Sequence, residues 1–261
     1  MAKREELSDE QWALIKPIIP THKRRDDGKG RPPSSDREIF NGILWILRSG
    51  ARWKDLPERF PSYQTCHRRF QYWVRSGTLR TILDTLARDL HERGKFDLSE
   101  CFIDATFMIA KKGASGIGKT KRGKGTKLMA VADGAGLPLA IHATSASPHE
   151  VTLVLDTLKE RFLRQRPIRL IGDRAYDSDP LDQTLAHQGI ELIAPHKFNR
   201  IKPTTQDGRV LRRYTRRWKI ERLFAWLQNY RRLLVRHDYY LENFLGFAYL
   251  ASTLILMRRY F

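Results

Sequence analysis

Residues 101–110 read Cys-Phe-Ile-Asp-Ala-Thr-Phe-Met-Ile-Ala. The run is β-branched and apolar, has the length of a strand, and carries one acid inside it. Everything before it is patterned differently. Ser8-Asp9-Glu10-Gln11 is a capping box ahead of Trp12, Ile15 and Ile19, and Pro20 closes that helix. Ser35-Asp36-Arg37-Glu38 is a second capping box, opening a helix with Ile39, Ile43, Ile46 and Leu47 that ends near Gly50. Ser62 precedes a third helix over Tyr63–Trp73, and a fourth runs over Leu79–His91. The charged, Gly/Pro-rich stretch His22–Pro33 is expected to be a loop.

Beyond residue 101 short strands appear. Leu128–Ala132 and Leu137–Ala143 flank Asp133-Gly134-Ala135-Gly136, a hairpin signal. A helix at His149–Phe162, a strand at Ile168–Ile171, a helix at Asp179–Gln188 and a strand at Ile190–Ala194 follow. A long helix over Leu211–Leu234 and a last one over Leu241–Met257 complete the pattern. This order predicts an α/β domain with a central mixed sheet over 96–261, preceded by a small all-α domain over 1–95. Two helices with a basic, polar second member suggest a helix-turn-helix, although a plain helical hairpin has the same pattern. Gln64, His67, Arg68 and Gln71 are the groove-facing candidates.

The charge balance narrows the partner. The 261 residues hold 48 Lys+Arg against 29 Asp+Glu, a net +19. Dense runs occur at Lys23-Arg24-Arg25, Lys119–Lys127 and Arg212–Arg222. Such clustering points to a polyanion, because neutralising phosphates releases counterions and relieves self-repulsion. Cys66 and Cys101 form no Cys-x-x-Cys pair, so neither a zinc finger nor a disulfide framework is expected. The first residues lack a signal-peptide pattern, and the apolar stretch Phe244–Met257 is too short to span a bilayer. These features suggest a cytoplasmic protein with a buried C-terminal helix and no membrane partner.

Two acids stand where charge is costly. Asp104 is inside the apolar run, and Asp173 ends Leu170-Ile171-Gly172-Asp173. An Arg or Lys partner would explain either one alone. Two such acids at strand ends of one α/β domain suggest a shared site. Glu221 is the third candidate, bordering the apolar helix face of Ile220, Leu223, Phe224 and Leu227, with Arg217 four residues before it. An ordinary ion pair is the alternative there. Three carboxylates suit hard Mg²⁺ or Mn²⁺ ions. Two such ions about 4 Å apart promote in-line displacement at phosphorus.

These residues resemble the DDE transposases of bacterial insertion sequences. Phe102-Ile103-Asp104-Ala105-Thr106 looks like the family's first catalytic aspartate segment, on the first strand of an RNase H-like fold. Ile171-Gly172-Asp173-Arg174-Ala175-Tyr176-Asp177-Ser178 looks like the second. Tyr214, Arg217 and Glu221 match the third, Y-x-x-R-x-x-x-E-x-x-x-x-x-x-K, but Gln228 stands at its Lys, where Arg231 or Arg232 is a substitute. Leu7–Trp12 and Gly50–Pro57 look like the helical domain that precedes such catalytic domains.

The resemblance implies an RNase H-like mixed sheet flanked by helices. It implies metal-dependent cleavage at element ends and 3′-hydroxyl strand transfer into target DNA. Asp104, Asp173 and Glu221 would hold Mg²⁺ or Mn²⁺, with Tyr214 and Arg217 on DNA phosphates. Double-stranded DNA, as terminal inverted repeats and target, is the implied partner. A homodimer on DNA, no small-molecule cofactor and a bacterial, nucleoid-associated location are implied as well. His149-Glu150 resembles a His-acid pair near the site, and a helix N-cap region is the equal alternative.

Gly113–Thr120 matches the P-loop pattern G-x-x-x-x-G-K-[ST]. A P-loop needs a helix starting at Lys119, and Lys121-Arg122-Gly123-Lys124-Gly125 is a poor helix start. Residues 111–127 are therefore expected to be a flexible basic loop whose Lys119, Lys121, Arg122, Lys124 and Lys127 grip DNA. Trp226 is expected to pack in the core rather than stack on a base. A non-catalytic helix-turn-helix protein is the main alternative function, and a P-loop ATPase is the weaker one.

Overall fold

The structure is a computed structural model describing residues 6–20, 34–111, 113–205 and 208–260. The basic run Lys23-Arg24-Arg25 and the loop expected over His22–Pro33 lie outside the described residues.

Local chemistry sets the helical part. In α1 (Asp9–Ile15) the Ser8 hydroxyl accepts the Gln11 N–H, and the Gln11 side chain accepts the Ser8 N–H. This capping box satisfies two amides that a helix start would otherwise leave open. Ser35 caps α2 (Asp36–Ser49), which ends at Gly50 in the left-handed region, φ 68°. Ser62 caps α3 (Tyr63–Arg75), and α4 (Thr78–Glu92) follows. The connections differ from the helix-turn-helix expectation. Residues 50–62 separate α2 from α3 and include a 3-10 turn at Trp53–Asp55. The tight turn instead joins α3 to α4 through Ser76 and Gly77, whose φ of 73° favours glycine.

The strands are β1 (Cys101–Ile109), β2 (Gly118–Thr120), β3 (Gly123–Ala132), β4 (Pro138–Ser145), β5 (Arg169–Ile171) and β6 (Glu191–Ile193). β1 is central, antiparallel to β3 and parallel to β5. β4 and β2 lie on the far edge of β3, and β6 runs parallel to β5. This mixed sheet, flanked by helices, is the RNase H-like arrangement. Its register positions the two aspartates. Phe102 on β1 pairs with Ile171 on β5. Asp104 lies two residues further along β1, inside the strand, and Asp173 two residues past Ile171, just beyond the end of β5, so continuing the parallel register brings both to the same level.

The remaining helices are α5 (Glu150–Lys159), α6 (Asp179–Ala186), α7 (Gly208–Leu211), α8 (Trp218–Gln228) and α9 (Leu241–Met257). The single long helix expected over 211–234 is broken. Residues Arg212–Arg217 form a 3-10 turn between α7 and α8, and a second such turn spans Arg231–Leu233. Like charges crowd this segment, and individual arginines reach acceptors outside it. Arg213 and Arg216 both reach Glu100, and Arg232 is buried against Asp238.

Residues 111–127 also differ from expectation. Instead of a flexible loop, Gly118–Ala132 forms the β2–β3 hairpin with its turn at Lys121-Arg122. The Thr120 hydroxyl accepts the Arg122 N–H and donates to the Gly123 carbonyl, which ties the turn. Gly125 lies so close to the Met108 carbonyl and the Phe107 ring that any Cβ there would collide.

α9 is apolar on every side and buried along its length. It packs on α2, α3, α4, α8 and β4, so one apolar cluster runs from the helical residues into the sheet. Among the described residues no helix is long and apolar enough to cross a membrane.

Candidate active site

The middle of β1 and the carboxyl end of β5 bring acids and cations together. Asp104 is half-buried, and its Oδ2 accepts a hydrogen bond from Arg217. Arg217 also donates to the Tyr214 hydroxyl at 3.3 Å, so Tyr214, Arg217 and Asp104 form one chain of contacts. The Asp173 carboxylate accepts the Ala175 N–H at 2.8 Å and caps the 3-10 turn Arg174–Tyr176. Burial pushes the Asp104 carboxyl above its ordinary range; Arg217 pulls against this, and the charge of Asp173 adds to the push. The two aspartates therefore feel each other across the parallel register.

Glu150, the first residue of α5, faces the same place. Its carboxylate lies 3.6 Å from the Lys127 Nζ and 3.5 Å from the Tyr176 hydroxyl, which donates to it. Burial raises its carboxyl, Lys127 opposes this, and Asp104 and Asp173 raise it further. The sequence pairs Glu150 with His149 near the site; His149 is exposed and its side chain makes no capping bond. Tyr176 is fully buried, and the only sequence signal for it was its place after Asp173.

Glu221 is exposed on the first turn of α8, one turn beyond Arg217. As placed, no three His, Cys, Asp or Glu side chains among the described residues lie close enough to hold a metal. The donor chemistry nevertheless fits a hard divalent cation: carboxylate oxygens, with that of Asp104 partly desolvated and held by the Arg217 guanidinium.

The basic candidates divide. Lys119, Lys121, Arg122 and Lys124 are exposed on the β2–β3 hairpin, where Lys119 sits directly opposite Lys124. Lys127 is folded inward, donating to the Pro148 carbonyl at 2.7 Å. On α3, Gln64 and Arg68 are exposed and Gln71 is half-buried. The His67 ring instead leans on Trp53 at 4.7 Å between centroids, and burial lowers its pKa, so it is a packing group. Gln228 is exposed at the end of α8; of its two suggested substitutes, Arg231 is exposed and Arg232 is buried. Trp226 packs against the core, with Arg222 over its ring at 4.8 Å. Lys119 lies in a strand rather than at a helix start, so the P-loop geometry is absent.

Two protein families match the chain. The one described as "Transposase DDE domain" matches residues 95–256. The other, "Putative transposase of IS4/5 family", matches residues 7–83. "Uncharacterized protein y4sN" of Sinorhizobium fredii is 36% identical over 118 residues, covering 45% of this chain and 87% of that one. "Putative transposase for insertion sequence element IS6501" of Brucella ovis is 35% identical over 138 residues, covering 51% of this chain and 98% of that one. Among solved structures, the piggyBac transposase in a synaptic complex with hairpin DNA superposes with a TM-score of 0.52. Its sequence identity is 12%, over 95% of this chain and 71% of that one, so the likeness is one of fold.

Proposed function

The chain belongs to the DDE-domain transposases, and from that membership we propose that it cuts DNA at insertion-sequence ends and joins the freed 3′-hydroxyl to target DNA, using Asp104, Asp173 and Glu221. The family is one of DNA-acting, divalent-metal-dependent enzymes. We read the ion as Mg²⁺ or Mn²⁺. What supports the reading is the parallel pairing of Phe102 with Ile171, two residues before Asp104 and Asp173, together with the Arg217 guanidinium on Asp104.

Bound at the carboxylates, such ions would activate the attacking oxygen and stabilise the leaving one. The residues have separate tasks. Asp104 and Asp173 supply oxygen donors from rigid strands. Arg217, once released from Asp104, is free to hold a phosphate with Tyr214 beside it. Glu221 lies one helical turn from Arg217 and would supply the third carboxylate. The β2–β3 hairpin, with Lys119, Lys121, Arg122 and Lys124, tracks the DNA backbone. Two lysines directly opposed across a hairpin repel each other, and a phosphate between them removes that cost.

We read residues 1–95 as a DNA-binding unit that presents Gln64, Arg68 and Gln71 on α3, and 96–261 as the catalytic one. Terminal inverted repeats are its specific DNA, a homodimer pairs two such ends, and the net charge of +19 favours residence on the nucleoid.

The test is Asp104→Asn. The variant should bind DNA as the unmodified protein does and lose nicking in Mg²⁺. Nicking at the original rate would reject the assignment.

A further inference from the structure

We propose that Phe198, with Ile201 in the same loop, is an apolar wedge that enters a base step of the duplex held at the site and kinks it there. The inference rests on the reading of the chain as an enzyme that binds duplex DNA beside Asp173.

The buried Asp177, four residues past Asp173, anchors the loop between β6 and α7. Its carboxylate accepts the Lys197 N–H at 2.8 Å, the His196 Nδ1–H at 3.0 Å and the Arg200 guanidinium at 2.9 Å. The His196 Nε2 accepts the Thr205 N–H at 3.2 Å, so in the neutral ring the proton sits on Nδ1 and points at Asp177. Arg200 and Lys202 also bind Asp179. The loop is therefore held along its length and not only where it joins β6 and α7.

From this braced loop two large apolar side chains turn outward. Phe198 is 90% exposed and Ile201 is wholly exposed. One such residue on a surface is ordinary. Here two stand three positions apart, and the guanidinium of Arg174, the residue after Asp173, lies over the Phe198 ring at 3.8 Å from its centroid. That contact ties the ring to the site. Arg174 and Lys197 are exposed beside it. A second copy of the chain would bring the same cations and be repelled. Duplex DNA offers both complements. Its phosphates suit the cations, and its base faces suit Phe and Ile side chains, which unstack a step and bend the duplex by roughly 20–90°.

The full chain is mixed with a short duplex of alternating T and A, without divalent ion so that nothing is cut. The duplex is labelled at both ends and carries 2-aminopurine in place of some adenines. Thymine–adenine steps unstack readily, and in this duplex they recur throughout, so the wedge needs no particular register. Energy transfer between the ends reports bending, and 2-aminopurine brightens on unstacking. The unmodified protein should raise both signals. Phe198→Ser should keep the slope of log affinity against log salt, because its phosphate contacts remain, and lose most of both signals. Ile201→Ser should lose part of them. Phe198→Leu, still an apolar wedge, should retain them. Signals undiminished in Phe198→Ser, or binding by the unmodified protein without bending, would overturn the wedge alone. No binding by the unmodified protein at low salt would bring down the DNA reading and the wedge with it. A dimer seen by light scattering without DNA, and lost in Phe198→Ser, would replace the wedge with self-association.

Discussion

Asp133 follows β3 with its carboxylate sealed from solvent, accepting the backbone N–H groups of Asp97, Ala135 and Leu137. Three amides favour its charge, but burial outweighs them and pushes its pKa to about 6 from 3.8. The folded protein holds this proton over a range where the unfolded chain has released it. The group's contribution to stability is therefore complete below pH 3.8 and declines as the pH rises to about 6. The loss is about 3 kcal/mol at full extent. Asp133→Asn should flatten the fall in melting temperature across that window, measured by thermal unfolding at stepped pH. A slope equal to that of the unmodified protein would refute this account. Asp104 shows the other outcome for a buried acid, since it has found a guanidinium. Asp104 stands out in the sequence because it interrupts an apolar run, whereas Asp133 reads only as the first residue of a hairpin turn. Glu150 is less distinct: it stands in a His-acid pair, but an acid after Pro148-His149 also looks like any acid in the first turn of a helix.

The β2–β3 hairpin is the element whose shape sequence patterning misjudged. Glycines and cations alternate from Gly118 to Gly125, which is a weak strand signal. Pairing with the continuous edge of β3 orders it, and Gly125 is required where β1 passes close. Replacing Lys119 and Lys124 together by Ser should weaken DNA binding. The slope of log affinity against log salt should shrink by roughly 0.9 for each phosphate that is no longer neutralised. Stability without DNA should hold or rise, since opposed like charges are removed. Anisotropy titrations over a salt series provide the measurement, and an unchanged slope would remove the hairpin from the interface. The segment 208–233 carries a related lesson. Its apolar spacing was legible as a helix, but the turns around Arg212–Arg217 and Arg231–Leu233 follow from acceptors outside the local pattern, at Glu100 and Asp238.

At the scale of the molecule, α9 joins the parts. It lies against α3 so closely that a Cβ on Gly246 would meet a Val74 methyl at 2.5 Å and the Phe70 ring at 3.3 Å. Arg80 makes a second connection, binding Asp84, Glu160 and the Arg161 carbonyl while lying over Phe162 and Tyr249. Gly246→Ala should destabilise the whole chain by about 1 kcal/mol, overpacking outweighing the gain in helix propensity. Unfolding should stay a single transition by both far-ultraviolet and tryptophan signals, because helical and sheet residues share one core. Two separated transitions would contradict that coupling.

The amino-acid order by itself determined the helix starts, the change to strands at Cys101, the basic character and the aspartates worth watching. These depend on neighbours within a turn or a strand, where capping and periodicity act. Tertiary structure alone decided which cation each acid meets, that Lys127 turns inward while Lys119 stays out, and that the last helix lies beside the first ones. Those outcomes depend on strand register and on partners far along the chain, such as Arg217 on Asp104, and short-range patterning carries no record of such distances.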